Sequence, residues 1–194
     1  MKPLQSIYDF LSQSDLVTSC DLVIALAGRP ERKSFALSLF RERKTPRVIL
    51  STGRYEVRQT AAMIPEIAAE LLTLRDETLP AERHFWIDIS QEQTTVSRAN
   101  LARNGTFEEL QALAGYLKIQ PARTLGLVST SIHLRRVRFC CSRISFFHQI
   151  NVLFWLVPET EAPPLRDGWW KRPADSAYVC SELVKLAGYH IVYR

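Results

Sequence analysis

Val128-Ser129-Thr130-Ser131-Ile132-His133-Leu134-Arg135-Arg136 marks the point where an apolar run, residues 125–128, stops at three hydroxyl residues and gives way to a histidine and paired arginines. A buried strand reads this way when it breaks into a loop and a helix begins. In an open α/β sheet, ligands sit in the crevice outside the carboxyl ends of the strands. Hydroxyls, free backbone N–H groups and guanidinium ions gathered there make a site for an anion. The plainer alternative is that Ser129, Thr130 and Ser131 cap a helix while the arginines are solvated. What favours a site is that other segments end in the same chemistry.

Residues 21–27 (DLVIALA) form a continuous apolar run, as a central parallel strand buried on both faces requires, and end at Gly28 and Arg29. Pro30 and Glu31 suit the first turn of the next helix, which carries Phe35, Ala36, Leu39 and Phe40 inward. A second strand, residues 47–50, ends at Ser51-Thr52-Gly53-Arg54, and a helix over 57–74 follows, re-initiated at Pro65. Residues 85–89 (FWIDI) read as a third strand with Asp88 near its end; residues 93–98 (QTTVSR) read as a loop turning into a helix, broken at Asn104-Gly105. Thr106 with Glu109 has capping-box spacing for a helix reaching Lys118. Beyond it come the strand 124–129, a helix over 133–143 and a fifth strand over 151–157. A loop with Pro158, Pro163 and Pro164 then leads to Trp169-Trp170 and a closing helix over 174–187, while a short amphipathic helix over 4–14 opens the chain.

Strands separated by helix-length segments predict an α/β fold: a three-layer αβα sandwich on a mostly parallel, doubly wound sheet of about five or more strands. The length of 194 residues suits one domain over 1–194, with 1–20 as a helical extension and 158–194 as a loop and helix packing on the core. Of the 25 basic residues 19 are arginine, and the net charge is +5; the planar fork of arginine favours acidic ligands. The basic residues form no block, which argues against nucleic acid as partner; Arg135, Arg136, Arg138 and Arg143 spread over two faces of their helix. Cys20, Cys140, Cys141 and Cys180 lack zinc-site spacing, so no metal is expected and the thiols read as reduced and mostly buried. With no apolar leader and no stretch long enough to span a bilayer, the expected location is the cytoplasm. Nothing in the composition speaks to oligomeric state.

Four strand ends therefore carry one chemistry: Gly28-Arg29 with Arg32; Ser51-Thr52-Gly53; Thr95 with Arg98; and Ser129, Thr130 and Ser131 with His133 and Arg136. Arginines converging there would repel one another unless an anion or a carboxylate joined them. Asp88 is the carboxylate expected close by, and Glu182 is a second from the C-terminal region. The expectation is a binding site for an anionic small molecule, a nucleotide or an S-adenosylmethionine-like compound, with Asp88 on its ribose. The glycine-rich G-x-G-x-x-G is absent. The alternative is a hydrolase or transferase acting on a phosphate-bearing or activated-sugar substrate, with His133 as acid/base, Asp88 as its candidate second group and the arginines stabilising developing charge. The residues alone do not decide between binding protein and enzyme.

The segment Asp21-Leu-Val-Ile-Ala-Leu-Ala-Gly28 with Arg32, followed by Pro46-Arg-Val-Ile-Leu-Ser51-Thr-Gly53, resembles the start of the YdcF/SanA/ElyC family, a bacterial domain of unknown function. Val128-Ser-Thr-Ser-Ile-His133-Leu-Arg-Arg136 is similar to that family's strand followed by Thr-Ser-x-Tyr-His-x-x-Arg, and Thr95 with Ala99 falls on its Thr-x-Glu-Asn-Ala element. A closing pattern of Glu182, Lys185, Leu186 and Tyr189 also fits, so the resemblance spans residues 21–194. Ser97 and Arg98 stand where the family has Glu and Asn, Arg54 replaces a glycine, and Arg135 replaces a frequent proline. The resemblance implies a Rossmann-like fold, a link to the cell envelope, and S-adenosylmethionine as a ligand by analogy with one branch. Lacking the N-terminal helix of the membrane-anchored branches, the chain looks more like the soluble YdcF branch.

Overall fold

The computed structural model of the protein describes residues 2–119, 122–158 and 164–193. Pro163, expected in the proline-rich loop, lies outside them. Helix α1 (Lys2–Leu11) comes first, then β1 (Leu22–Ala25), α2 (Pro30–Arg41), β2 (Arg47–Gly53), α3 (Val57–Met63) and α4 (Ala68–Glu77). β3 (His84–Ser90), β4 (Thr94–Arg98), α5 (Thr106–Leu117), β5 (Thr124–Ser129), α6 (Leu134–Cys141), β6 (Asn151–Leu156) and α7 (Pro173–Val192) complete the series. The strands form one six-stranded sheet in the order β4-β3-β2-β1-β5-β6.

Alternation along β1 explains the layers. Val23 and Ala25 face a core made with Ala36, Leu37 and Leu39 of α2, Val57 and Ala61 of α3, and Leu71 of α4. Leu22 and Ile24 face the opposite core, built with Leu110, Leu113 and Leu117 of α5 and Leu134, Val137 and Cys140 of α6. A central strand apolar on both faces therefore has a helical layer on each side. A third cluster, around Tyr8, Leu11, Ile132, Trp169, Val179 and Leu186, docks α1 and α7 beside the start of α6.

β2, β1, β5 and β6 run parallel. The expectation of a mostly parallel sheet is corrected on the other side. β3 is antiparallel to β2, pairing Arg47 with Ser90 and Gly53 with His84, and β4 is antiparallel to β3. A short apolar run fixes that a segment is buried but not which way it points, so FWIDI carried no sign of its direction. The loop-to-helix reading of residues 93–98 is likewise overturned. Thr94, Thr95 and Val96 are β-branched and continue from a tight turn in which Ser90 N–H donates to Gln93 O at 2.9 Å. Residues 131–133 form a short 3-10 turn, so the helix after β5 starts at Leu134 and ends at Cys141.

The chain leaves β1 toward β2 on one side and β5 toward β6 on the other, so the direction of winding reverses between β1 and β5. Crevices open at such a reversal, outside the carboxyl ends of the strands.

Candidate functional site

At that end of the sheet the polar side chains gather in two parts, a packed bundle and an open cleft. Of the residues that the sequence singled out, the bundle holds Arg32, Ser129, Thr130, His133 and Arg136. The Arg32 guanidinium reaches across from α2, donating from one amino group to Ala27 O and from the other to Thr130 Oγ1 at 2.8 Å. Gly28, at φ 126°, lies directly over it: a Cβ at this position would come within 3.0 Å of Arg32 Nη1. Ser129 Oγ is 2.7 Å from His133 Nδ1, and Thr106 Oγ1 is 3.2 Å from His133 Nε2. Arg136 donates to Thr106 Oγ1 and forks onto Glu182, with Nε to Oε2 at 3.0 Å and Nη2 to Oε1 at 3.1 Å. Lys185 reaches the same carboxylate at 2.9 Å.

The electrostatics follow from burial. Desolvation lowers the pKa of Arg32. Burial also pulls Arg136 down, but the hydrogen bonds and charge of Glu182 outweigh it and its net shift is upward. His133 is held well below its ordinary range by burial first, then by Arg32, Arg136 and Lys185. Both of its ring nitrogens are engaged, so it positions the β5 end against α5 and α6 and has none left for a substrate. Arg32 has no carboxylate within 4.0 Å among the described residues, and its Nε and the Ser131 hydroxyl are buried without hydrogen-bond partners there.

The cleft, about 290 Å³, is lined by Ala27, Gly28, Gly53, Glu56, His84 and Glu109, among others, with Arg54 and Tyr55 at its rim. Glu56 accepts the Gly28 N–H at 2.7 Å through Oε1 and pairs through Oε2 with the buried Lys33. Burial raises the Glu56 pKa and lowers that of Lys33, each shift being opposed by the partner's charge. Glu109 does not cap α5, whose N-cap is Gly105. Its Oε1 accepts the Ala27 N–H at 2.8 Å and the Ser51 hydroxyl, while Thr106 is spent on His133 and Arg136. The capping-box spacing therefore serves the sheet, not the helix. Ser51 Oγ also lies 2.7 Å from His84 Nε2, and burial lowers the His84 pKa against the pull of Glu109. A second hollow of about 210 Å³, lined by Glu82, Arg98, Asn100 and Asn104, shares His84 with the first.

Asp88 is corrected outright. Because β3 runs backwards, Asp88 lies opposite Ile49 toward the far end of the sheet, where Arg47 grips both carboxylate oxygens and Tyr116 donates at 2.8 Å. Thr95 pairs across from Asp88 and goes with it. Arg98 stays at the cleft end but on the edge strand, held 2.8 Å from Glu82. Arg29 stacks on Tyr178, and Thr52 is buried 3.4 Å from Thr60.

No family model, no curated protein and no solved structure matches the chain.

Sequence reasoning missed Glu56, His84 and Glu109. Glu109 reads as a helix-capping residue, His84 opens its strand rather than following one, and Glu56 has no pattern around it. Among the described residues there is no group of three His, Cys, Asp or Glu that could hold a metal, and no helix long and apolar enough to cross a membrane.

Proposed function

We propose that this chain is a Rossmann-like protein of the YdcF/SanA/ElyC kind that binds a small anionic molecule at the carboxyl ends of β1, β2 and β5. The observation that carries the reading is Arg32, a guanidinium only 4% exposed, directly under the cleft-lining Gly28 and with no carboxylate within 4.0 Å among the described residues. Arg32 donates only to the neutral oxygens of Ala27 and Thr130, with Glu56, Glu109 and Glu182 acting on it from farther off, so an anionic group over Gly28 would offset the cost of burying this charge more directly. Lys33 and Arg136, by contrast, already have protein carboxylates.

The wall of the cleft chooses among molecules that carry an anionic group. Glu56 and Glu109 would repel a triphosphate, whereas carboxylates accept well from ribose hydroxyls or an ammonium group. A ligand with one anionic group, a ribose and a positive centre therefore fits better than a polyphosphate, which makes S-adenosylmethionine-like compounds the first choice and nucleoside monophosphates the second. Thermal unfolding with S-adenosylmethionine, S-adenosylhomocysteine, AMP, ATP and a nucleoside-diphosphate sugar tests this. At a hundredfold excess over Kd the first should stabilise by about 2.7 kcal/mol, a rise of roughly 5–10 °C for a chain of this size. Arg32→Lys keeps the charge but not the fork, so it should lower the melting temperature of the free protein and also lose most of that ligand-dependent rise. Absence of any shift at millimolar concentrations across the panel refutes the proposal.

A further inference from the structure

The hydrogen-bond order around Ser51 fixes more than a contact. Glu109 Oε1 is a carboxylate oxygen and can only accept, so the single hydroxyl hydrogen of Ser51 points to it. Ser51 Oγ must then accept from its other neighbour, His84 Nε2, 2.7 Å away. The chain of donors runs His84 Nε2–H to Ser51 Oγ–H to Glu109, and it places the imidazole in one neutral tautomer. The other nitrogen, Nδ1, is left with its lone pair and has no hydrogen-bond partner among the described residues. His84 is also the polar ring that lines both hollows, with Leu101 and Asn104.

We propose that His84 is the proton acceptor of this cleft and receives at Nδ1 the proton of a ligand hydroxyl, with Ser51 and Glu109 as its positioning residues. In the step itself the ligand O–H bond breaks, its electron pair stays on oxygen, and an N–H bond forms at Nδ1. The imidazolium so formed is stabilised by Glu109 through Ser51, and the proton returns by the reverse path. The charged groups around the ring fit this task. Glu109 approaches from α5 and Lys33 from α2, and both Glu82 and Arg98 line the hollow on the far side. Trp86 meets the ring edge-on at 5.6 Å and limits its rotation. His133 cannot take the role, since Ser129 and Thr106 occupy both of its nitrogens.

The inference rests on the cleft being a ligand site, but its test needs no ligand, so it can fail or succeed separately from the panel above. Long-range nitrogen–proton NMR of the imidazoles at pH 7 should show His84 as the Nε2–H tautomer with an unprotonated Nδ1. In parallel, diethyl pyrocarbonate, which acylates an accessible unprotonated imidazole nitrogen, should modify His84 about tenfold or more faster than His133, which reacts only through local opening. Ser51→Ala, with unchanged circular dichroism, should release the tautomer into an averaged signal, and Ser51→Thr should restore it. An Nδ1–H tautomer in the native protein, or a His84 as inert as His133, overturns the proposal whatever the variants do.

Discussion

At the scale of single residues, glycines mark where the fold has no room. Gly126, in the middle of β5, sits under the Trp155 indole. A Cβ there would lie 2.7 and 2.8 Å from Cη2 and Cε3 of that ring, and Trp155 is fully buried. Gly126→Ala should therefore destabilise the protein by about 1–3 kcal/mol or more through overpacking. In urea unfolding, the same substitution made in a Trp155→Leu background should cost much less. Equal costs in both backgrounds would show that the ring is not the obstacle. The same scale shows what a sequence conceals. Arg32, Ser129, His133 and Arg136 were legible because residue types cluster at strand ends. Their being packed against one another was not, since a list of polar residues does not say which of them neutralise each other.

At the scale of elements, the N-terminal segment has a structural task at the sheet edge. Asp15 donates its N–H to Phe154 O at 2.8 Å, and its carboxylate accepts the Phe154 N–H at 2.8 Å. Leu16 O accepts from Trp155 Nε1 at 3.1 Å, and Arg138 holds the same carboxylate from α6. The segment between α1 and β1 thus covers β6, an outer strand whose backbone would otherwise be open to pairing. Asp15→Ala should cost about 1–3 kcal/mol by leaving the Phe154 N–H unmatched. Light scattering should also show self-association in a variant lacking residues 1–16, and a monodisperse truncated protein would remove this role. β1, β2, β5, β6 and the helices between them were readable from apolar runs and spacing. The β3–β4 hairpin was not, because its direction depends on pairing partners far away in the chain, and one reversal of direction exchanges Asp88 for His84 at the site.

At the scale of the whole molecule, the polar network gives stability a defined pH dependence. His84 and His133 both have folded pKa values below the ordinary 6.5, each because burial disfavours the imidazolium. Below that value the unfolded chain takes up protons that the native one refuses, so stability falls as pH drops from about 6.5 toward the folded values. Each histidine contributes up to about 1.4 kcal/mol per pH unit in that window. Glu56 works in the opposite sense, since its folded pKa lies above the ordinary 4.5 and the native protein gains its proton first. Urea midpoints should therefore decline most clearly between pH 6.5 and 5.5, and midpoints that stay level there would contradict the buried neutral imidazoles.

The tight turn between β3 and β4 follows from the same reversal. Ser90, Gln91 and Glu92 share a hollow with Asp21, Pro46 and Arg47, at the pole where the parallel strands begin rather than where they end. A fluorophore, an affinity handle or a short peptide inserted at Gln91 and Glu92 should thus be carried on the antipode of the cleft, giving a reporter or tether that leaves the cleft and its lining untouched.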